Sequence, residues 1–409
     1  MRATTDLATM DAEQFGRAAL GPILAEFCQR LWLFERFLPE PGDAALLFCA
    51  RGGLRLKLVY ERFLARTGLP ARLPAEALMV SRLVAARTAV APPRDGVLAE
   101  LGREFAGRPM GEAASALAQC DDLDLPPSWQ APFRASSFAT LICAQEPGAS
   151  ALRQAVALQD SRFRAHLAAC MAGRRHGILV DTGLYGSTVR MLREGVPEMR
   201  WSGLQFARSN YKRFAAPHFD CTLGVSVESD VYKPWEVRTS ALRFWQLIEA
   251  VLEPDLPSVR VFAAAREGEP PKSNLQVADW QSRVAPREAG LFDAALSYID
   301  DLTAADLRRL PDEAARGWRL FKRRVVWPDR QAVTSLALED RSRDFGRLDQ
   351  VAQFAAPAAS SLQQIRNSLW REGAVMRGFP RMGYLGLMMI ELAHLGRSLK
   401  HEALAMRRA

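Results

Sequence analysis

The chain is short of lysine, of paired cysteines and of long hydrophobic runs, and these shortages exclude several classes of protein. No two of its six cysteines stand at C-x-x-C spacing, so neither a zinc site nor a dithiol redox motif is indicated. The cysteines are instead expected to be reduced, buried side chains of a cytoplasmic protein. No run approaches the roughly 20 apolar residues that a membrane-spanning helix needs. Residues 1–14 carry acids and no apolar centre, which does not fit a secretory signal.

Arginine is what the chain has in excess. Of its 409 residues 48 are arginine and six are lysine, and the net charge is +8. Guanidinium groups bind phosphate and carboxylate through paired hydrogen bonds, so anionic partners are predicted, although a GC-rich genome would produce the same composition. No nucleic-acid-binding motif and no stripe of basic and aromatic residues is visible. Nucleic acid is therefore not expected among the partners.

Hydrophobic segments of strand length alternate with segments of helical periodicity along most of the chain. Strands are predicted at 44–50, 77–84, 177–180, 201–207 and 221–227. Helices are predicted at 12–38, 54–65, 97–118, 149–172, 189–193, 239–252, 287–325 and 358–405. Such alternation is typical of an α/β fold with a mostly parallel sheet and helices on both faces.

A polar, proline-rich stretch at 264–276 predicts a domain boundary. Residues 1–40 would form an N-terminal helical segment. Residues 41–263 would form an α/β domain with a helical insertion at about 97–172. Residues 277–409 would form a helical C-terminal domain.

A glycine turn, Arg51-Gly52-Gly53, follows the first predicted strand, and a helical pattern starts directly after it. Ligands of parallel sheets bind at the carboxyl ends of strands, where such turns lie. Glycines let an anion approach the backbone amides, and Arg51 and the helix N-terminus add positive charge. The competing interpretation is a tight turn that carries a surface arginine.

A second turn follows the strand predicted at 177–180 and reads Asp181-Thr182-Gly183-Leu184-Tyr185-Gly186-Ser187-Thr188. Asp181 stands where a carboxylate could accept hydrogen bonds from sugar hydroxyls. The last three residues could surround a phosphate with amides and hydroxyls at a helix N-terminus. The competing interpretation is a strand-ending aspartate beside an ordinary helix cap. The lysine of a Walker loop is missing.

The two turns, in this order, resemble those of phosphoribosyltransferases. A closer resemblance is to the phosphoribosyltransferase-type ribofuranosyltransferase modules of bacterial polysaccharide synthesis, which are often fused to haloacid-dehalogenase-like phosphatases. Four segments carry it in the expected order over about 41–262: FCARGGLRLKLVY, LMVSRLVAA, LVDTGLYGST and LIEAVLEPDLPSV. The resemblance implies a phosphoribosyltransferase-like sheet domain and phosphoribosyl pyrophosphate (PRPP) as the donor.

The resemblance also implies roles for individual residues. Those facing pyrophosphate would be Arg51, Gly52, Gly53, Ser81 and Arg82. Those facing ribose 5-phosphate would be Asp181, Thr182, Gly183, Tyr185, Gly186, Ser187 and Thr188. The chain departs from the family pattern at Thr182, where a second acid is usual, and at Gly52, where the closer family has aspartate. The second turn is also one residue shorter than usual.

The implied reaction transfers ribose 5-phosphate, with inversion, to a hydroxyl of a free or lipid-linked glycan and releases pyrophosphate. Asp181 and Glu249 are the candidate general bases, with Glu253 one helical turn beyond Glu249. Glutamates four residues apart would equally suit a solvated helix face. Mg²⁺ would be carried by PRPP, because the five histidines show no metal-ligand spacing and no protein metal site is predicted. A separate phosphatase would remove the 5-phosphate, because the Asp-x-Asp at 122–124 follows no apolar strand.

The segment 383–408 is apolar and then basic. It predicts either a packed terminal helix with a solvated end or contact with the inner face of the plasma membrane. Two other functions stay open. One is a phosphoribosyltransferase that acts on a nucleobase or another small acceptor. The other is a non-catalytic regulator that binds PRPP or nucleic acid, and nucleic-acid binding would depend steeply on salt.

Overall fold

Five parallel strands form the centre of the computed structural model, which describes residues 10–120, 123–265, 267–285, 290–338, 341–342, 350–354, 361–379 and 381–406. The strands are β1 (Ala44–Cys49), β2 (Ala75–Leu78), β3 (His176–Leu184), β4 (Arg200–Arg208) and β5 (Thr222–Glu228). Their order in the sheet is β2-β1-β3-β4-β5, and every neighbouring pair is parallel. Two short strands, β6 (Arg341–Ser342) and β7 (Gln350–Val351), form a separate antiparallel pair.

Helices connect the strands and continue beyond the sheet. They are α1 (Ala12–Phe15), α2 (Gly21–Phe37), α3 (Gly52–Thr67), α4 (Arg82–Ala89), α5 (Asp95–Glu104), α6 (Met110–Ala118), α7 (Ala135–Ile142), α8 (Pro147–Met171), α9 (Ser187–Gly195), α10 (Trp245–Leu252), α11 (Trp280–Val284), α12 (Leu291–Asp300), α13 (Leu310–Val326), α14 (Arg330–Ser335), α15 (Ser361–Asn367), α16 (Arg371–Gly378) and α17 (Gly383–Met406). A π-helical turn, Gly16–Leu20, joins α1 to α2. No helix in the described ranges is long and apolar enough to cross a membrane.

Side chains of β1 alternate between the two faces of the sheet, as the pleat of a strand requires. Leu46 and Phe48 belong to one buried cluster, which includes residues of α2, α3, α10, α12 and α13. Leu47 and Cys49 belong to the opposite cluster, which includes residues of α4 to α9. Both faces are covered, so strands that are apolar on both sides are stable here. The predicted α/β fold, with a parallel sheet between helices and a helical C-terminal region, is confirmed.

The segment 97–172, predicted as an insertion, belongs to one of the two helical layers. Its helices α5 to α8 lie between β2 and β3 in the chain, and their apolar side chains share a buried cluster with Leu47 and Leu179 of the sheet. The segment therefore covers one sheet face.

The prediction of one strand at 77–84 is wrong. β2 ends at Leu78 and α4 begins at Arg82. Ser81 caps this helix, because its Oγ accepts a hydrogen bond from the amide of Val84 at 3.2 Å. The apolar residues of this run therefore belong to two elements.

The third strand is longer than predicted. β3 continues beyond Asp181 to Leu184, because its pairing with β4 extends to Gly183 opposite Ala207 and Leu184 opposite Arg208. Asp181 thus lies within the strand and does not end it.

Other predictions need correction in detail. The predicted helix at 97–118 is two helices, α5 and α6, and that at 239–252 is a 3₁₀ segment, Val237–Arg243, followed by α10. The predicted helix at 287–325 is divided into α12 and α13, and that at 358–405 into α15, α16 and α17. Cys120 and Cys143 are exposed, so the prediction of buried cysteines is wrong for these two.

Helices α12 and α13 pack on the same core as the sheet. Phe292 and Trp318 lie in the buried cluster that holds Phe48, and the Trp318 ring centre is 6.2 Å from that of Phe206 on β4. The domain boundary at 264–276 stays a prediction.

Candidate functional site

The strands that follow β1 in the chain lie on both sides of it in the sheet, so the strand order reverses at β1. The next strand, β2, lies on one side of β1, and β3 lies on its other side. Ligands of open parallel sheets bind outside the carboxyl ends of the strands at such a switch point. The segments that follow β1 and β3 are the two glycine turns singled out in the sequence.

The two turns touch each other at this rim of the sheet. A Cβ atom on Gly52 would stand 2.6 Å from Cγ2 of Thr182, closer than side chains approach in proteins. A Cβ atom on Gly53 would stand 2.9 Å from the carbonyl oxygen of Val180. Glycine at both positions therefore lets the start of α3 pack directly against β3.

The second turn depends on glycine at two positions. Gly183 has φ +128° and Gly186 has φ +74°, conformations that favour glycine. Gly186 ends the turn, and α9 begins at Ser187. Ser187 and Thr188 line the cavity described below, so the N-terminus of α9, with its unpaired amides and positive dipole end, opens at this site.

Asp181 is half-buried on β3 and lines the same cavity. Its Oδ1 accepts a hydrogen bond from the backbone amide of Thr182 at 2.7 Å. The Thr182 side chain is buried, where the resembled family has a second acid. Asp181 is therefore the single carboxylate at this point of the turn, where the resembled family has two.

A buried ion pair joins the second turn to α5. Lys212 Nζ lies 2.7 Å from Oε2 of Glu100 and donates to Oγ of Ser187 at 2.6 Å. Burial lowers the pKa of Lys212 to about 8. Burial raises the pKa of Glu100, but the Lys212 ammonium outweighs it, so the net shift is below the usual value. The ammonium group thus lies against the first residue of α9.

Two arginines at the rim pair with glutamates. Arg51 lies 3.2 Å from Oε2 of Glu253, the residue that follows α10. Arg82 lies 3.0 Å from Oε1 of Glu104. These cations stand at the carboxyl ends of β1 and β2 and are held in place before any ligand arrives.

One cavity of about 2040 Å³ joins these groups. The strand ends and the turns after them form one side of it, with Arg51, Arg82, Asp181, Ser187 and Lys212 in the lining. Residues of α15, α16 and α17 also line it. Ligand sites are typically about 300–1,000 Å³, so this cavity has room for more than one small substrate.

The remaining predicted residues take different places. Arg51, Gly52, Gly183 and Glu249 line the cavity, whereas Gly53 lies beneath its surface among backbone atoms of β1 and β3. Ser81 lines the cavity, and its hydroxyl donates to the carbonyl of Val259 at 2.7 Å in addition to capping α4.

Tyr185 lines the cavity with little exposed surface. Its side chain is 1% exposed, and its hydroxyl donates to the carbonyl of Ala215. His218 lies edge-on to its ring at 5.0 Å, and Lys212 Nζ lies 4.5 Å from the ring centre. These contacts give the side chain a structural role within the turn.

The residues that sequence reasoning missed lie mainly after β4 and on the C-terminal helices. Lys212 follows β4 in the polar segment RSNYKRF and is one of only six lysines. A search of every predicted strand end for charged residues would have found it. Glu100 gave no such signal, because it stands in an ordinary amphipathic helix.

The described residues contain no group of three or more His, Cys, Asp or Glu side chains arranged to hold a metal ion.

The fold is that of a parallel α/β protein with a cleft at its switch point. Comparison of the chain with models of known protein families and with curated proteins finds no match. Function is therefore inferred from the geometry of the site.

Proposed function

We propose that the protein transfers ribose 5-phosphate from PRPP to a hydroxyl of a glycan and releases pyrophosphate. One observation carries this proposal: two glycine turns, at the ends of adjacent parallel strands, meet in one cavity with Arg51, Arg82 and Lys212. A sugar that carries phosphate at both ends needs two cationic, amide-rich sites a short distance apart.

Each turn has a defined task in this proposal. The amide of Gly52 and the guanidinium of Arg51 bind the pyrophosphate, which gains negative charge as its bond to C1 breaks. Asp181 accepts hydrogen bonds from the ribose hydroxyls. Ser187, Thr188 and the N-terminus of α9 hold the 5-phosphate, and Lys212 lies 2.6 Å from Ser187 to neutralise it.

Mg²⁺ suits this donor without a protein metal site. It commonly binds phosphate oxygens and water together with one or two carboxylates, and Asp181, Glu249 and Glu253 line the cavity. When bound to pyrophosphate, the ion would supply positive charge to the leaving group. Direct hydrogen bonds to that group come from this chain, above all from Arg51.

The acceptor hydroxyl attacks C1 from the face opposite pyrophosphate, so the C1–O bond to pyrophosphate breaks as the new C1–O bond forms. The acceptor proton passes to a carboxylate, Glu249 or Asp181, both of which line the cavity. The product is a β-ribofuranoside 5-phosphate, and a separate phosphatase would remove its phosphate. A cavity of about 2040 Å³ favours a glycan over a nucleobase, because a nucleobase would leave much of it empty.

We further propose a cytoplasmic protein that contacts the inner membrane surface through α17. Apolar side chains recur on its solvent side: Leu385, Met389, Leu392, Leu399 and Met406 are all exposed. Exposed Arg381 precedes the helix, and Arg407 and Arg408 follow it in the sequence. An apolar face flanked by cations suits an anionic membrane surface, which would present a lipid-linked acceptor close to the cavity.

Thermal unfolding with candidate donors tests the donor site. Millimolar PRPP with Mg²⁺ is expected to raise the melting temperature, whereas ATP and NAD are not. Mass spectrometry after incubation with PRPP and panels of glycans and nucleobases then reports the acceptor class. A gain of one ribosyl phosphate on a glycan is expected. The same gain on a nucleobase would favour the small-acceptor alternative, and binding without any transfer would favour the non-catalytic regulator.

Two variants test the site residues. Arg51→Ala and Asp181→Ala are each expected to lower kcat/KM at least a hundredfold, since each removes a group that contacts the reacting sugar phosphate. Arg175→Ala is the matched control, because this exposed arginine precedes β3 at the opposite edge of the sheet. Wild-type activity in both site variants would refute the assignment.

A further inference from the structure

The C-terminal helices give the cavity a wall that is rich in cations. Arg366 on α15, Arg371 on α16, and Arg397 and Lys400 on α17 all line the cavity. Arg243, at the end of the 3₁₀ segment before α10, joins them. These five residues are called the cationic wall below.

Carboxylates are distributed unevenly among the elements that line the cavity. Among the described residues, the acids in the lining are Glu104, Asp181, Asp230, Glu249 and Glu253, and all of them precede the C-terminal helices. On the cationic wall one ion pair occurs within the described ranges, between Arg243 and Glu372 at 2.6 Å. Arg366, Arg371, Arg397 and Lys400 form no such pair with a described carboxylate.

The arginines of the wall stand close enough to repel one another. Burial and the charge of Arg243 lower the pKa of Arg371, Glu372 opposes them, and Arg397 and Arg366 lower it further. Burial, together with Arg243, Arg397 and Arg371, lowers the pKa of His394 to about 3. A group of like charges that faces a cavity, with one carboxylate among five cations, is stabilised when an anion binds between them.

The strand-end side of the cavity already accounts for the donor. Its cations are paired with glutamates, and its turns suit pyrophosphate and a 5-phosphate. The wall is made of other residues of the same lining, and the cavity is about twice the size of a typical ligand site. The second substrate is therefore the molecule that meets the wall.

We propose that the cationic wall binds an anionic group, a phosphate or a carboxylate, of the acceptor. This inference rests on the proposed function, since it specifies the acceptor class of that reaction. Guanidinium groups bind both anions through paired hydrogen bonds. The anion has two possible sources, the phosphate of a lipid-linked or phosphorylated glycan and the carboxylate of an acidic sugar.

Three sugars that differ in charge test the proposal: glucose 1-phosphate, methyl β-glucuronide and the neutral methyl β-glucoside. Their affinities are measured by calorimetry with saturating ribose 5-phosphate and pyrophosphate present to occupy the donor site. At least one charged sugar is expected to bind tenfold or more tightly than the glucoside. The sugar that does so identifies phosphate or carboxylate as the source. Equal affinity for all three would overturn the proposal.

A double variant locates the binding. Arg371→Gln with Arg397→Gln is expected to weaken the charged sugar at least tenfold, because two unpaired guanidinium groups are removed. Arg381→Gln is the matched control, since this exposed arginine just before α17 is not part of the cavity lining. Unchanged affinity in the double variant would overturn the proposal. If the double variant does not fold, Arg397→Gln alone must weaken binding at least threefold.

A second readout separates this proposal from the proposed function. The NMR shift of the His394 ring is expected to move when the charged sugar binds, and its pKa is expected to rise as the arginines are neutralised. A shift that stays unchanged at saturation would contradict binding at the wall. If PRPP stabilises the wild type while these sugars fail, the wall proposal alone is wrong. If the sugars bind while PRPP does not, the donor assignment is wrong.

Discussion

Gly183 illustrates how one absent side chain shapes the site. Its φ of +128° is unfavourable for other residues, and a Cβ atom there would overlap the carbonyl oxygen of Ala207 on β4. Gly183→Ala is expected to destabilise the fold by about 2–4 kcal/mol, because strain and overpacking add. Urea unfolding measures this loss.

Gly42→Ala is the control for that variant. Gly42 has no neighbouring atom within 4 Å of an added Cβ and no positive φ, so its replacement is expected to change stability by less than about 0.5 kcal/mol. Equal effects of the two substitutions would contradict the role assigned to Gly183.

His218 supports the second turn in its neutral form. Its Nε2 hydrogen-bonds to the carbonyl of Tyr185 at 2.6 Å, and burial, with further contributions from Arg190 and Arg193, lowers its pKa to about 4. An unfolded histidine titrates near 6.5, so the unfolded chain binds the proton more readily than the folded one. Above pH 6.5 the histidine is neutral in both states and costs no stability. As the pH drops from 6.5 to 4, protonation of the unfolded chain lowers the free energy of unfolding by up to about 3 kcal/mol.

His218→Gln tests this pH dependence, because glutamine can still donate to the Tyr185 carbonyl. The variant is expected to lose less stability than wild type between pH 7 and 4.5 in urea unfolding. His401→Gln, at an exposed position on α17, should leave the wild-type loss in place. An undiminished loss in His218→Gln would show that other groups cause the acid sensitivity.

At the scale of single elements, α17 has two unlike sides. Glu391 accepts a hydrogen bond from the Tyr232 hydroxyl at 2.7 Å, and Glu402 lies 3.2 Å from Nζ of Lys233, so both carboxylates have partners within the protein. Leu387 is buried, whereas Met389 and Leu392 are exposed. Packing therefore neutralises the acids of the helix and leaves its apolar stripe exposed to solvent.

Binding to lipid vesicles tests the proposed role of that stripe. The protein is expected to sediment with vesicles that contain phosphatidylglycerol and to bind phosphatidylcholine alone much more weakly. Met389→Glu with Leu392→Glu should weaken binding roughly tenfold or more, since apolar area is lost and like charge is added. Phe37→Glu, at an exposed apolar site on α2, should have little effect. Binding that is indifferent to both lipid charge and the α17 substitutions would exclude this surface.

At the scale of the whole molecule, the sheet shares one of its buried clusters with α12 and α13. Trp318 of α13 is 1% exposed and contacts Phe206 of β4. Trp318→Ala is expected to cost about 3–5 kcal/mol, and to shift a single unfolding transition seen alike by circular dichroism and fluorescence. Trp235→Ala, at an exposed position, serves as the control. Separate transitions for the two parts would instead support independent domains.

Local patterns predicted the strands well where strand and helix signals did not overlap. The segments at 44–50 and 201–207 correspond to β1 and β4 because each is a short apolar run bounded by polar residues or turns. The prediction of a single strand at 77–84 is wrong because a strand end and a helix start are both apolar there. Ser81, the cap between the strand and the helix, does not interrupt the apolar pattern. β3 exceeded its prediction because pairing with β4 overrides the polar character of Asp181 and Thr182.

The residues of the candidate site likewise fall into those that the sequence predicts and those that it does not. Arg51, Gly52, Asp181 and Ser187 could be selected from the sequence, since each stands where a strand gives way to a turn or helix. Glu100 could not, because its contact with Lys212 joins residues 112 positions apart. The cationic wall was equally hidden, since its arginines lie on separate C-terminal helices in a chain that is rich in arginine throughout.

The alternation of apolar strands and amphipathic helices was enough to predict a parallel α/β fold. The spacing of apolar residues within each segment indicates which of its faces must be buried. The same local chemistry placed the two glycine turns at strand ends. Only tertiary structure decided that β1 and β3 are neighbours, that the turns after them touch, and that cations of the C-terminal helices line the cavity. The physical reason is that strand order and long-range ion pairs depend on how separate segments pack, and no single segment carries that information.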